Sequence, residues 1–99
     1  VAVSQAQALM RETANWVDAH PQDDAAVAAT RIRSVAEHCA TDVLWHAARA
    51  LGAAPMCREA ATARLFADLP VFIRQSHAER DLASLAASLN LSETSPWTL

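Results

Sequence analysis

The stretch from Asp24 to Leu51, DAAVAATRIRSVAEHCATDVLWHAARAL, contains no Pro and no Gly, and the residue that follows it, Gly52, is the single Gly of the chain. Ala, Leu, Arg and Glu recur along it, so intrinsic propensity and the absence of breakers both predict one unbroken α-helix. At about 1.5 Å of rise per residue this helix is about 40 Å long, more than the width of a compact domain of this size. A helix of that length either projects from its own domain or shares its length with neighbours in a larger assembly.

The rest of the composition agrees with packed helices. One Gly, no Tyr, three Trp and two Phe in 99 residues leave little for a sheet, which needs β-branched and aromatic side chains and Gly-containing turns. All eight basic residues are Arg, and the net charge is −3, so the chain has no basic field to hold a phosphate backbone and nucleic acid is not an expected partner. No apolar run approaches the ~20 residues that cross a bilayer, so no membrane partner is expected. Cys39 and Cys57 have no CxxC spacing and read as two reduced, partly buried small hydrophobes, which makes a cytoplasmic setting the default. The start, VAVSQAQALM, lacks the basic and apolar segments of a secretory leader and has no Met at position 1, so the chain is expected to be part of a longer polypeptide.

Four helices are predicted in one domain, over residues 4–19, 24–51, 58–75 and 77–89, with an irregular tail over 90–99 in which Trp97 either docks or stays mobile. In the first, Val3, Met10 and Val17 recur at seven-residue spacing, and Ser4 with Gln7 fits a capping box. His20 to Asp23 form the turn, where Asp23 or Asp24 caps the long helix. On that helix Ile32, Cys39 and His46 lie above one another, flanked by Ala28, Val35 and Val43. Gly52 is expected to end it in a left-handed conformation, with Pro55 preventing its resumption. Pro70 kinks or ends the third helix, and Val71 to Ile73 continue as a further turn. Ser76-His77-Ala78-Glu79 reads as a capping box opening the last helix, whose Leu82, Leu85 and Leu89 share one face. The expected architecture is an all-α antiparallel bundle of about four helices built around the long one.

Several side chains are candidates for chemistry. His38, Asp42 and His46 stand at i, i+4 and i+8 on one face of the long helix. That spacing suits a transition metal near Cys39, and equally a ladder in which Asp42 orients two imidazoles, or a polar seam toward another helix or subunit. His77 and Asp81 form an i, i+4 pair on the last helix. Arg58, Arg64, Arg74 and Arg80 concentrate in the second half, with Glu59, Asp68 and Asp81 as their expected partners. A single Gly rules out a nucleophile elbow, a P-loop and a dinucleotide-binding glycine loop.

The long helix ending RALGA, the Pro-containing loop after it and the segment ATARLFADLPVFIRQSHAERDLASL together resemble the C-terminal helical domain of the acyl-CoA dehydrogenase superfamily, including its flavin-dependent monooxygenase branch. The likeness runs from about Ser4 to Leu89. In that family the long helix ends in a Gln, two residues and two glycines, whose backbone approaches the flavin of a neighbouring subunit. Here Arg49 stands at the Gln position, Gly52 at the first glycine and Ala53 at the second. Arg64 and Asp68 match a further family Arg and Asp, while Ala67 replaces the Arg before the Asp. The resemblance implies a flavoprotein oxidoreductase with FAD (or FMN), sister subunits as a homo-oligomer, and an acyl-thioester or other small organic substrate. It implies flavin contact at Arg49, Gly52 and Ala53, chiefly through the main chain of Gly52. The dehydrogenase branch's Glu-Gly-Thr run is missing, so no residue of this chain is assigned proton abstraction. The monooxygenase-like branch often places a His nearby, and His77 is the candidate for a catalytic role. The contrasting expectation, from the helices alone, is a stand-alone dimerisation or interaction module without chemistry.

Overall fold

A computed structural model describes residues 1–88, and among them every secondary-structure element is helical. The elements are α1 (Ala2–Ala19), α2 (Ala26–Leu51), α3 (Ala53–Arg58), α4 (Ala60–Ile73) and α5 (Ala78–Ser88). The tail expected over 90–99, Trp97 included, lies outside the described residues, as does Leu89.

The long helix forms as α2, with 26 residues. Its N-cap is Ala25, with no side-chain cap, so neither Asp23 nor Asp24 takes the expected capping position; Asp24, one residue earlier, accepts the Ala26 N–H through Oδ1 at 2.8 Å, and the helix proper starts two residues after the expected boundary. At the other end the Gly52 N–H donates to Ala48 O at 3.0 Å. Gly52 has φ 69° and ψ −168°. The positive φ matches the expectation, but ψ lies far from the left-handed helical value of about +47°. This extended, positive-φ region belongs almost exclusively to Gly, and it redirects the chain sharply enough for α3 to start at the next residue. Pro55 therefore does not block helix formation. It occupies the first turn of α3, where a backbone N–H would have no intrahelical acceptor in any case.

The helix expected over 58–75 forms as α4, while the loop expected before it is helical as α3; the two are separated at Glu59, which is extended at φ −115° and ψ 103°. Glu59 opens α4: its carbonyl accepts the Ala63 N–H, and its Oε2 accepts the Thr62 hydroxyl at 3.0 Å. Pro70 lies inside α4 rather than near the start of a new turn. It deprives the Phe66 carbonyl of its helical donor, and the helix ends soon after, at Ile73. At the other end of the chain α1 begins at Ala2, before Ser4. The Ser4 hydroxyl donates to Val1 O at 2.8 Å, so it serves the first turn from within and does not cap.

α2 packs against each of the other four helices, and α3 also packs against α4. Among the described residues, α1 meets neither α4 nor α5, and α4 and α5 do not meet each other. The start of α1 (Val1 to Gln5) lies beside Asp42 to Ala50 of α2, and its end (Leu9 to Trp16) beside Asp24 to Arg31, so this pair is antiparallel. Ala6 is the one buried residue of α1, because only a small side chain fits where the two helices approach. The stripe turned to α2 follows Ala2, Ala6, Leu9, Thr13 and Trp16, which are buried or half-buried, whereas Val3, Met10 and Val17 are exposed. Ala6 and Ile73 are the buried apolar residues, while Trp45, Leu65, Val71 and Phe72 are exposed. The radius of gyration is 17.0 Å; a compact domain of this length has about 13 Å. The arms surround α2 without closing over one another, and no enclosed core forms.

Candidate functional site

The α2–α3 corner carries three of the residues singled out above. Arg49, Gly52 and Ala53 follow one another there, and all are exposed. The guanidinium carbon of Arg49 lies 5.7 Å from the centroid of the Trp45 ring, a cation–π contact that lays the side chain back along α2. A Cβ built on Gly52 would meet nothing within 4 Å. The main chain at this corner is thus open to the approach of a flat ring, and its N–H is already committed to Ala48 O. The corner presents an open main-chain face and no enclosed pocket. A cavity of about 680 Å³ is an open groove between the start of α1 and the end of α2, lined by Val3, Asp42, Val43, His46 and Ala47 among others and by none of Arg49, Gly52 and Ala53.

His38, Asp42 and His46 are all exposed on α2. Asp42 and His46 line the groove just described, and His38 does not. Among the described residues no group of three or more His, Cys, Asp or Glu side chains is arranged to hold a metal ion. Cys39 is half-buried and Cys57 exposed, and both are free thiols.

His77 occupies a different part of the molecule. It is exposed, and its carbonyl accepts the Asp81 N–H at 2.8 Å, which makes it the residue that opens α5. The start of α5 lies against Thr30 to Glu37 of α2. Gly52 is fifteen positions beyond Glu37, about 22 Å further along the helix axis. One copy of the chain therefore does not bring His77 and the Gly52 corner into a single site.

What fixes the α4–α5 corner is a group that the sequence reading passed over. Glu37, half-way along α2, has a side chain only 12% exposed, and its Oε1 accepts Arg74 Nη1 at 2.7 Å. The Ser76 hydroxyl lies 3.4 Å from Glu37 Oε2 and 3.2 Å from Ile73 O. Ser76 thus looks back to α4 and across to α2, and does not form the expected capping box with Glu79. One turn earlier on α2, Arg33 places its guanidinium carbon 5.6 Å from the Phe72 ring centroid. Arg74 pairs with Glu37 and not with the acidic residues near it in sequence, whereas Arg64 and Asp68 form the expected local pair at 3.3 Å. A signal for Glu37 was present only as an Arg33–Glu37 spacing of four, which reads as a local helix pair. At the opposite end of the molecule, Trp16 and His20 stack with ring centroids 4.8 Å apart, and His20 Nδ1–H donates to Trp16 O at 2.8 Å, closing α1.

Chemically, the chain offers two exposed corners on one long helix and apolar faces beside them. Among the described residues no helix is long and apolar enough to cross a membrane. Comparison with protein-family models, with curated proteins and with solved structures found no match to the chain.

Proposed function

We propose that this chain is the C-terminal helical bundle of an acyl-CoA dehydrogenase-like flavoprotein oxidoreductase of the cytoplasm, in which it packs against sister subunits and forms one wall of an FAD (or FMN) site. The observation that carries the reading is the uncovered apolar surface: Val3, Met10, Trp45, Leu65, Val71 and Phe72 face outward, while among the described residues Ala6 and Ile73 alone are buried apolar residues. A free-standing domain of this composition does not leave so much of its large apolar side chains in water, and the arms around α2 become an antiparallel bundle only once neighbouring surface fills the gaps between them. The family resemblance supplies the identity of that neighbour, a sister subunit, and the open main chain at Gly52 is compatible with the contact the resemblance implies.

On this reading the chain contributes surface and not a complete catalytic apparatus. Flavin, when bound, carries the electron-transfer chemistry; Arg49 and Ala53 flank the Gly52 main chain on the approached wall, and that wall excludes water from one side of the ring. His77, about 22 Å from the corner along α2, serves the substrate side of a site completed by another copy, where an acyl-thioester or other small organic substrate binds. The same uncovered faces also favour the second reading, a helical dimerisation module without chemistry.

The two readings separate on the intact protein purified whole. Flavin absorbance near 450 nm, or its appearance on adding FAD or FMN, is the result expected of a flavoprotein. An oligomer that carries no flavin and takes up none leaves the interaction module as the surviving reading.

A further inference from the structure

We infer that Glu37 is a positioning residue: from α2 it holds the α4–α5 corner in place and so fixes where His77 stands. The inference extends the assignment of a substrate-facing role to His77 and rests on it for its functional meaning, while the clasp itself rests on geometry alone.

The corner is short of other support. α4 and α5 do not touch each other among the described residues; α4 is placed by α2 and α3, and α5 meets α2 alone, so what joins the two helices across the gap runs through α2. Four residues of polypeptide, Arg74 to His77, span the gap between them. Glu37 reaches both sides of that gap, through Arg74 at the end of α4 and through Ser76, which immediately precedes His77. Arg33, one turn away on the same face of α2, lies over Phe72 just before the gap. Two successive turns of α2 thus grip three alternate residues of the corner, Phe72, Arg74 and Ser76. Ile73, between them, is one of the two buried apolar residues among the described residues.

The asymmetry of exposure shows which partner matters. Arg74 is 67% exposed and would be hydrated without Glu37, whereas the Glu37 carboxylate is 12% exposed and relies on the corner for its hydrogen bonds. A half-covered carboxylate with two acceptors engaged is the arrangement by which a supporting shell holds an exposed functional group on a rigid element. His77 is the exposed group here.

The test is hydrogen–deuterium exchange on the intact protein, read in the peptide that covers Ile73 to Arg80. Glu37→Ala is expected to speed exchange there about tenfold, the scale of losing a charge-assisted hydrogen bond, with exchange in α1 unchanged. Glu37→Gln, which keeps the shape, is expected to give a smaller increase and covers the case in which the Ala variant does not fold. Exchanging the two charges, Glu37→Arg with Arg74→Glu, is expected to restore most of the protection. Wild-type exchange in both Glu37 variants overturns the inference, as does a charge-exchanged protein no better protected than Glu37→Ala. Turnover separates this failure from failure of the His77 assignment. Glu37→Ala is expected to lower kcat in parallel with His77→Ala and to leave KM in place; if His77→Ala has no effect on kcat while corner exchange rises, His77 loses its role and the clasp stands.

Discussion

The two sides of α2 are built on different principles. On one side α1 runs antiparallel to it along a seam of small and medium side chains, buries a single Ala, and leaves an open apolar groove beside the contact. On the other side the α4–α5 corner makes a much shorter contact, yet it buries Ile73 and is tied down by an ion pair, a hydroxyl and a cation–π contact. The first contact is extended and unspecific: small residues allow close approach but define register weakly. The second is short and specific, because Glu37 accepts hydrogen bonds in only one placement of the corner. The lesson is that extent of contact and definition of geometry are separate properties, and this chain assigns them to opposite faces of one helix.

Substitutions on the two sides test that contrast. The largest effect is expected at Ile73→Ala, which removes the one large buried side chain among the described residues and should cost about 2–4 kcal/mol in denaturant unfolding of the intact protein. A cost below ~1 kcal/mol would mean that the corner is held by its polar groups alone. Next comes Ala6→Leu on the α1 side, expected to cost about 1–3 kcal/mol by overpacking the closest approach of α1 and α2. Since the seam defines register weakly, α1 is expected to shift rather than to detach, and far-UV circular dichroism should show the helix content preserved; loss of the α1 helix signal would show the seam to be as specific as the corner. The smallest effect is expected at Met10→Ser, which changes an exposed residue on a second open apolar groove, between α1 and Ala36 to Val43 of α2, and should stay within about 0.5 kcal/mol in a monomeric species. A larger destabilisation that grows on dilution would identify the groove as covered by a neighbour in the assembled protein.

The sequence made the helices legible and the joints only partly so. α2 could be read because nothing in Asp24 to Leu51 breaks a helix, whereas its cap could not: the N-cap is Ala25, and Asp24 bonds the first helical N–H from one position further out. Pro55 and Pro70 were misread for a common reason: Pro is excluded from a helix only where its N–H is needed, and that depends on where the helix starts and how soon it ends. The S-x-x-E pattern at Ser76 failed because the hydroxyl had a competing acceptor, the Glu37 carboxylate, 39 positions away in the chain. Glu37 itself was invisible for the same reason, since periodicity reports on neighbours within a helix and not on partners across a turn. Val3, Met10 and Val17 recur every seven residues yet are exposed; the face of α1 that meets α2 carries the neighbouring Leu9 and Trp16 and is centred on Ala6, the residue small enough to permit close approach. Of the candidate site residues, Arg49, Gly52 and Ala53 are brought together because they are adjacent in sequence; His77 is kept apart from them by the length of α2, which no motif expresses.

The arrangement of every arm on α2, with no contact between α1 and the pair α4 and α5, also bears on cooperativity. Where elements interlock in a common core, loosening one releases all, and the domain opens as a unit. Here α1 can come away without disturbing a single contact of α5, and α5 without disturbing α1, so that each side of α2 is a separate opening unit with its own free energy. Such a chain acquires all-or-none behaviour from whatever surface bridges its arms, and until then it behaves as a set of loosely linked helices sharing one axis.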